Sequence, residues 1–392
     1  MSNRVGKSAS VLLFLSLLIL VFPGREGLAT DSFNVRETEV PARLQSLINP
    51  KGEPNQLVWL GADAATSVPV TPDHYVWLFG DTILGENQNG IRNYSEFIHN
   101  TIGVTRRNAN GKFEQIEKFY RQTKGNVEAI FPSEEEGEFY WPLVGTVVDS
   151  SLLIAASRVS TENDGGFKIL GTTFFLVDNP LDIPPQWEYE KSYLPKEEDT
   201  IWGTALVAEE EWVYVFGQRG TGLDSETVLS RIRIEDAATG NWEKRLHYVD
   251  RDWKTNSKPQ TLEGLPGTSE TTIQYNSFFG WYCLQIPPLG NDVHLFTAEE
   301  ITGPWRDQGS VYAIPSPWST EKTENGKQVF ITYAAKSHPE LASEENEIVL
   351  TYNINLSPYT NKDQKLQDYI GQKKYERLYV PQFVSLLFEK TE

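Results

Sequence analysis

The 392-residue sequence is 39% hydrophobic and 12% aromatic, with a formal charge of −19, enough apolar material for one large core or two modest ones. Its acidity excludes nucleic acid and anionic lipid as partners, since like charges repel both. A single cysteine, Cys283 in "GWYCLQIP", excludes an intramolecular disulfide framework and is expected to be a buried strand residue.

Residues 1–29 read as a signal peptide. An apolar run of 12, Val11 to Phe22, follows Arg4 and Lys7 and precedes Pro23-Gly24, and a run of that length is short for a bilayer span. Gly27 and Ala29 suit a signal peptidase, so the exported chain is expected to begin near Thr30. Residues 1–29 carry three basic and one acidic side chain, so their loss takes the net charge to −21. A secreted or periplasmic location follows, with no membrane contact after cleavage. Residues 30–392 are expected to form one domain, acting as a monomer.

The next strong element is "YVWLFGDTILG", Tyr75 to Gly85, an apolar run that ends abruptly at Gly80-Asp81-Thr82. It is echoed by "SLLIAASRVST" from Ser151, "EWVYVFGQRGT" from Glu211, "GWYCLQIPPLG" from Gly280 and "QVFITYAAKSH" from Gln328. A second β-branched or aromatic run follows each copy, and an aromatic third run, such as "QWEYEKSY", follows the first four. A short strand and turn precede each copy. Four strands per unit, five units and almost no helical periodicity predict an all-β, five-bladed β-propeller of four-stranded antiparallel blades around a central channel. "YVPQFVSLLF" near the C-terminus either supplies the fifth unit's last strand or closes the ring against the first, removing exposed edges. A pair of β-sandwiches is the competing architecture. The acidic run Glu134-Glu135-Glu136-Gly137-Glu138 reads as a solvated loop.

In the first unit the inner strand is expected at Ala64 to Val70, the turn at Thr71-Pro72-Asp73-His74 and the second strand at Tyr75 to Gly80. Folding the hairpin about Pro72 in that turn sets Asp63 opposite Asp81, and opposite residues of an antiparallel pair share a face with Cβ atoms about 4.5–5.5 Å apart. Two facing carboxylates repel, so one must take a proton or a cation. Glycoside hydrolysis needs such a pair, one as acid and the other as nucleophile or base. A turn pair or a calcium site is the competing reading. The positions aligned with Asp81 in the other copies are Ala156 or Ser157, Gln218, Gln285 and Ala335, so the repeat itself does not demand a carboxylate.

"WLGADAATSVPV", "YVWLFGDTILG", "FIHNTIGV", "YWPLVG", "IWGTALV" and "YAAKSHPEL" with "IVLTYNIN" resemble a domain-of-unknown-function propeller family whose members include endo-D-arabinanases. The resemblance runs from about Leu57 to Val384. It implies that Asp63 and Asp81 match that family's paired catalytic aspartates, and that the substrate is a furanose-containing polysaccharide or oligosaccharide.

Arg92, His99 and Asn100 are expected in a long loop over the channel mouth, as sugar-hydroxyl partners or as braces for the loop backbone. Trp141 and Trp202 each begin an inner strand, where they either stack on a sugar or pack between blades. Arg158 and Gln218 end second strands and point to the same mouth. Glu270 begins the fourth inner strand as a third carboxylate, an acid or a modulator of the pair. Lys336, His338 and Glu340 form the corresponding loop of the fifth unit. His338 has no metal-ligand spacing to another histidine, and no phosphate-cradling glycine loop, EF-hand or G-x-S-x-G elbow is present, so neither a metal nor another cofactor is expected. "NYS" at Asn93 and "NLS" at Asn355 are glycosylation sequons. A secreted glycoside hydrolase is the leading reading. A carbohydrate-binding propeller without catalysis is its rival, and a sugar phosphorylase using Arg92, Arg158 and Arg219 as a phosphate pocket is a third.

Overall fold

The computed structural model describes residues 32–51, 56–161, 166–197, 199–358 and 366–391. The expected signal peptide and the start near Thr30 lie outside the described residues. The repeated apolar runs become antiparallel strands, joined in the first three units by tight turns at Pro72-Asp73, Asp149-Ser150 and Glu210-Glu211.

Five sheets carry most of the chain, each beginning with a new strand and adding the following strands outward. The first contains Thr66–Thr71, His74–Phe79, Thr101–Arg106 and Glu117–Phe119. The second contains Glu138–Val148, Ser151–Thr161, Phe167–Val177 and Tyr189–Pro195. The third begins with Thr200–Glu209, Trp212–Arg219 and Glu226–Arg233 and then exceeds the expected four strands, because Leu246–Val249, Asp252–Lys254 and Thr261–Pro266 all join it. The fourth runs Ile273–Asn276, Gly280–Gln285, Asp292–Ala298, Arg306–Ala313.

The fifth sheet corrects the sequence reading. Phe330–Ser337 is its first strand, not its second; Glu347–Leu356 is second, Gln382–Thr391 third, and the outermost strand is Ser32–Glu39 from the other end of the chain. Ser32 pairs with Thr391 and Glu39 with Ser385. The C-terminal run therefore does supply a strand, and the N-terminal segment covers the edge that it leaves.

Apolar side chains form a cluster between each successive pair of sheets. Val76 and Leu78 pack with Ile154 and Phe175, Leu153 with Val213, Phe216 with Trp281 and Cys283, and Leu284 with Leu350. A fifth cluster joins Trp77 of the first sheet to Val349 and Phe383 of the fifth, so the packing runs round in a cycle. Cys283 is buried in its strand, as expected.

A smaller sheet of Val58–Ala62, Thr82–Gln88 and Ile91–Ile98 lies beyond the first. It replaces the loop expected after Asp81. Asn89 and Gly90 take φ of 56° and 87° at its hairpin tip, the backbone that a two-residue turn between twisted strands requires.

Candidate active site

Asp63 and Asp81 stand where the first sheet hands over to the smaller one. The register of the first sheet pairs Thr66 with Leu78, that of the smaller sheet pairs Ala62 with Thr82, and Asp63 faces Asp81 between them. Asp63 N donates to Asp81 O at 2.8 Å, and Gly80 N donates to Asp63 O at 2.9 Å. The strand bends here: Ala64 takes φ 55°, and Ala334 in the fifth sheet takes φ 55° as well. Non-glycine residues rarely occupy that region, and such strain gathers at functional sites. The two bends follow Asp63 and Tyr333, and these two side chains meet.

Tyr333 Oη donates to Asp63 Oδ1, and Tyr379 Oη donates to Oδ2 at 3.1 Å. The Tyr379 backbone N donates to Ile354 O at 2.9 Å, and Gly61 presses against its carbonyl oxygen, where a Cβ would overlap. Burial lifts the Asp63 carboxyl well above the usual carboxylate range; the Tyr333 bond opposes this, and the charges of Asp81 and Glu270 add to it. Both tyrosine hydroxyls are held well above their ordinary value, first by burial and then by the Asp63 charge.

Asp81 has different company. Its Oδ1 accepts from Trp141 Nε1 at 2.6 Å and from His99 Nδ1 at 2.8 Å, while among the described residues Oδ2 has no hydrogen-bond donor. The His99 ring stacks on Phe139 with centroids 3.6 Å apart, and Phe139 meets Trp141 edge-on at 5.2 Å.

Glu270 is the third carboxylate. Burial raises its proton affinity, the Lys336 cation opposes that, and the Asp81 charge adds to it. It lines a cavity of about 330 Å³ together with Ser269, Leu289, Thr332, Tyr333 and Ala334. Lys336 is fully buried beneath this group, its Nζ donating to Thr271 O at 3.1 Å and Leu143 O at 3.3 Å. It thereby ties the first strand of the fifth sheet to the first strand of the second and to the approach to the fourth. Burial takes its pKa down to about 8, with the Glu270 charge opposing.

The structure brings Asp63, Asp81, His99, Trp141, Glu270 and Lys336 together, and sets the other expected residues elsewhere. Arg92 lies buried in the smaller sheet, donating to the carbonyls of Leu60, Tyr375 and Leu378; it clamps the Tyr379 segment and reaches no substrate. Asn100 is buried, bonded to Phe131 O, Tyr140 O and Phe131 N, a brace for the backbone. Trp202 is buried in the core between the second and third sheets, its Nε1 on Glu197, which corrects its reading as a sugar platform. His338 is buried between Ser67 Oγ and Thr351 Oγ1, at 2.6 and 2.8 Å, and burial lowers its pKa to about 3. It lies in the connection just past the strand Phe330–Ser337, before the short 3-10 turn Pro339–Leu341 that holds Glu340, whereas Lys336 is within the strand and not in the expected loop. Arg158 pairs with Glu138 at 2.6 Å; Glu138 opens the strand Glu138–Val148, while Glu134 to Gly137 form the exposed loop expected for the acidic run. Gln218 is half-buried near the end of its strand, opposite Ile201. Arg92 on carbonyls, Arg158 on Glu138 and Arg219 on Glu226 are dispersed among separate partners, which removes the support for a shared phosphate pocket.

Sequence reasoning missed Tyr333 and Tyr379. No local pattern marks them, because they reach Asp63 from 270 and 316 residues away.

The described residues share a fold with a crystal structure from Bacteroides ovatus ATCC 8483 whose hydrolase designation is provisional, at a TM-score of 0.67 and 16% identity over 89% of this chain and 90% of that one. Two remoter likenesses, each at a TM-score of 0.43 and 10% identity, carry no weight here. They are to the α-L-arabinofuranosidase PaAbf62A from Podospora anserina in complex with cellotriose, over 88% of this chain and 95% of that one, and to a GH43_1 enzyme from Xanthomonas citri, over 88% and 92%. No curated protein matches the sequence. A family described as Domain of unknown function (DUF5005) matches residues 55–387, and the chain belongs to that family.

Proposed function

We propose that this chain is a secreted glycoside hydrolase on a five-bladed β-propeller, cleaving a furanose-containing polysaccharide in the manner of an endo-D-arabinanase. The cyclic packing of five sheets supports the propeller over a pair of sandwiches. The observation that carries the activity is the pairing of Asp63 and Asp81 on neighbouring strands in unlike surroundings.

Asp63, half-buried and pressed by two like charges, is the group that holds a proton and gives it to the leaving oxygen. Asp81, fixed through Oδ1, presents Oδ2 to the anomeric carbon. Cross-strand neighbours start at Cβ separations of about 5 Å, which fits the carboxyl spacing of about 5–5.5 Å of retaining enzymes. Asp81 is then the nucleophile, its attack breaking the glycosidic bond as Asp63 protonates the departing sugar. Water, deprotonated by Asp63, then releases the product from the ester. Glu270 and Lys336 set the local charge. The test is product analysis on arabinans, arabinogalactans and fructans with the parent and the Asp63→Asn and Asp81→Asn chains. New reducing ends from the parent alone support the reading; binding without cleavage by the parent contradicts it.

A further inference from the structure

Five rings run in a chain beside Asp81. Phe97 meets His99 edge-on at 5.4 Å, His99 stacks on Phe139 at 3.6 Å, Phe139 meets Trp141 at 5.2 Å, and Trp141 meets Phe167 at 4.8 Å and 80°. The middle of the chain is tied to the carboxylate through His99 and Trp141. The two ends are open: Phe97 is 47% exposed and Phe167 58% exposed. Exposed phenyl rings gain nothing for the core, and their alignment with the rings that hold Asp81 makes the wall continuous with the reaction site. Tyr333, which donates to Asp63, and Glu270 line the 330 Å³ cavity. A chain lying across Asp81 and Asp63 thus meets the rings that hold Asp81 and the cavity that Tyr333 lines beside Asp63.

We propose that Phe97, Trp141 and Phe167 form a stacking platform for the sugar rings of an uncharged polysaccharide, immediately beside the bond that is cut; this rests on the glycosidase reading above. The C–H faces of a furanose or pyranose ring lie against an aromatic face with little desolvation cost, as apolar surface does. Charge selects the class. The wall borders Asp81, Asp63 and Glu270 on a chain of net −19, so uronate-, sulfate- or phosphate-bearing polymers are repelled and neutral ones are not.

The experiment measures binding of soluble neutral glycans (arabinan, arabinogalactan and xylan), with polygalacturonate as the anionic control. It compares the Asp63→Asn chain with the same chain carrying Phe97→Ala and Phe167→Ala. Both added changes are at exposed positions, and melting curves check that each protein is folded. The expected result is binding of at least one neutral glycan, weakened about tenfold or more by the two alanines, and no binding of polygalacturonate. Equal affinity of the two proteins, a preference for polygalacturonate, or no binding of any neutral glycan would overturn the platform. Undiminished cleavage by the Asp63→Asn chain would instead contradict the catalytic reading, and the effect of the two alanines would still be measurable.

Discussion

Asp63 and Asp81 are the same side chain on adjacent strands, yet one sits under two tyrosine hydroxyls among like charges while the other is held from one side by an indole and an imidazole. The difference comes from distance along the chain. The Asp81 donors belong to nearby elements, 18 and 60 residues on. The Asp63 donors come from the first strand of the last sheet and from the turn before its third strand, and they reach it only once the five sheets pack in their cycle. One carboxylate is therefore set up by local structure and the other by closure of the whole domain, whose packing raises the proton affinity of Asp63.

The largest effect expected is from removing either acid. Asp63→Asn and Asp81→Asn should each lower hydrolysis by about a hundredfold or more. Melting adds a second readout at Asp63. The raised proton affinity of Asp63 means that the folded state binds its proton more tightly than the unfolded state does. Stability linked to that group is intact below the ordinary carboxylate range and is lost as pH rises towards the folded value. Asn at this site should therefore melt about 2–4 °C higher than the parent at pH 7, with the gain shrinking towards pH 4.

Tyr333→Phe comes next. Its bond opposes the upward shift of Asp63, so losing it should move the Asp63-dependent limb of the pH–rate profile to higher pH and reduce kcat about tenfold. Lys336→Met should act through Glu270 and leave Asp63 bonding intact. Removing the cation raises the Glu270 proton affinity further, and the profile should shift upward with KM little changed. The smallest kinetic effect is expected at Arg92. Arg92→Met strips two carbonyl bonds from the Tyr379 segment and one from Leu60, so it should lower the melting temperature by several degrees while affinity for the glycan stays near the parent's.

Much of the Asp81 side was legible in the sequence. A fold about Pro72 places Asp63 against Asp81; the turn itself pairs Thr71 with His74, and a bulge between Pro69 and Thr71 supplies the one-residue shift that makes this pairing hold. Trp141 and His99 were visible as polar-tipped rings near strand ends. Asn89-Gly90 is a plain hairpin signal that a loop reading passes over, and with it went the smaller sheet and the inward turn of Arg92. The Asp63 side was illegible because Tyr333 lay in a unit whose frame was one strand out. Phe330–Ser337 resembles a second strand in pattern, and the strand that completes its sheet, Ser32–Glu39, buries only Phe33 and so shows almost no alternation. Lys336 reads as a loop cation for the same reason, although its surroundings are the first strands of other sheets.

The division of labour between the two aspartates is tested most directly by azide rescue on an arabino-oligosaccharide bearing a good leaving group. Asp63→Ala with azide should regain turnover and release a glycosyl azide of retained anomeric configuration, since Asp81 still forms the ester that azide then opens. Asp81→Ala with azide should release the inverted azide, formed by direct attack. The opposite pairing of variant and configuration, or near-parental hydrolysis by both variants without azide, would contradict the assignment of proton donor to Asp63 and nucleophile to Asp81.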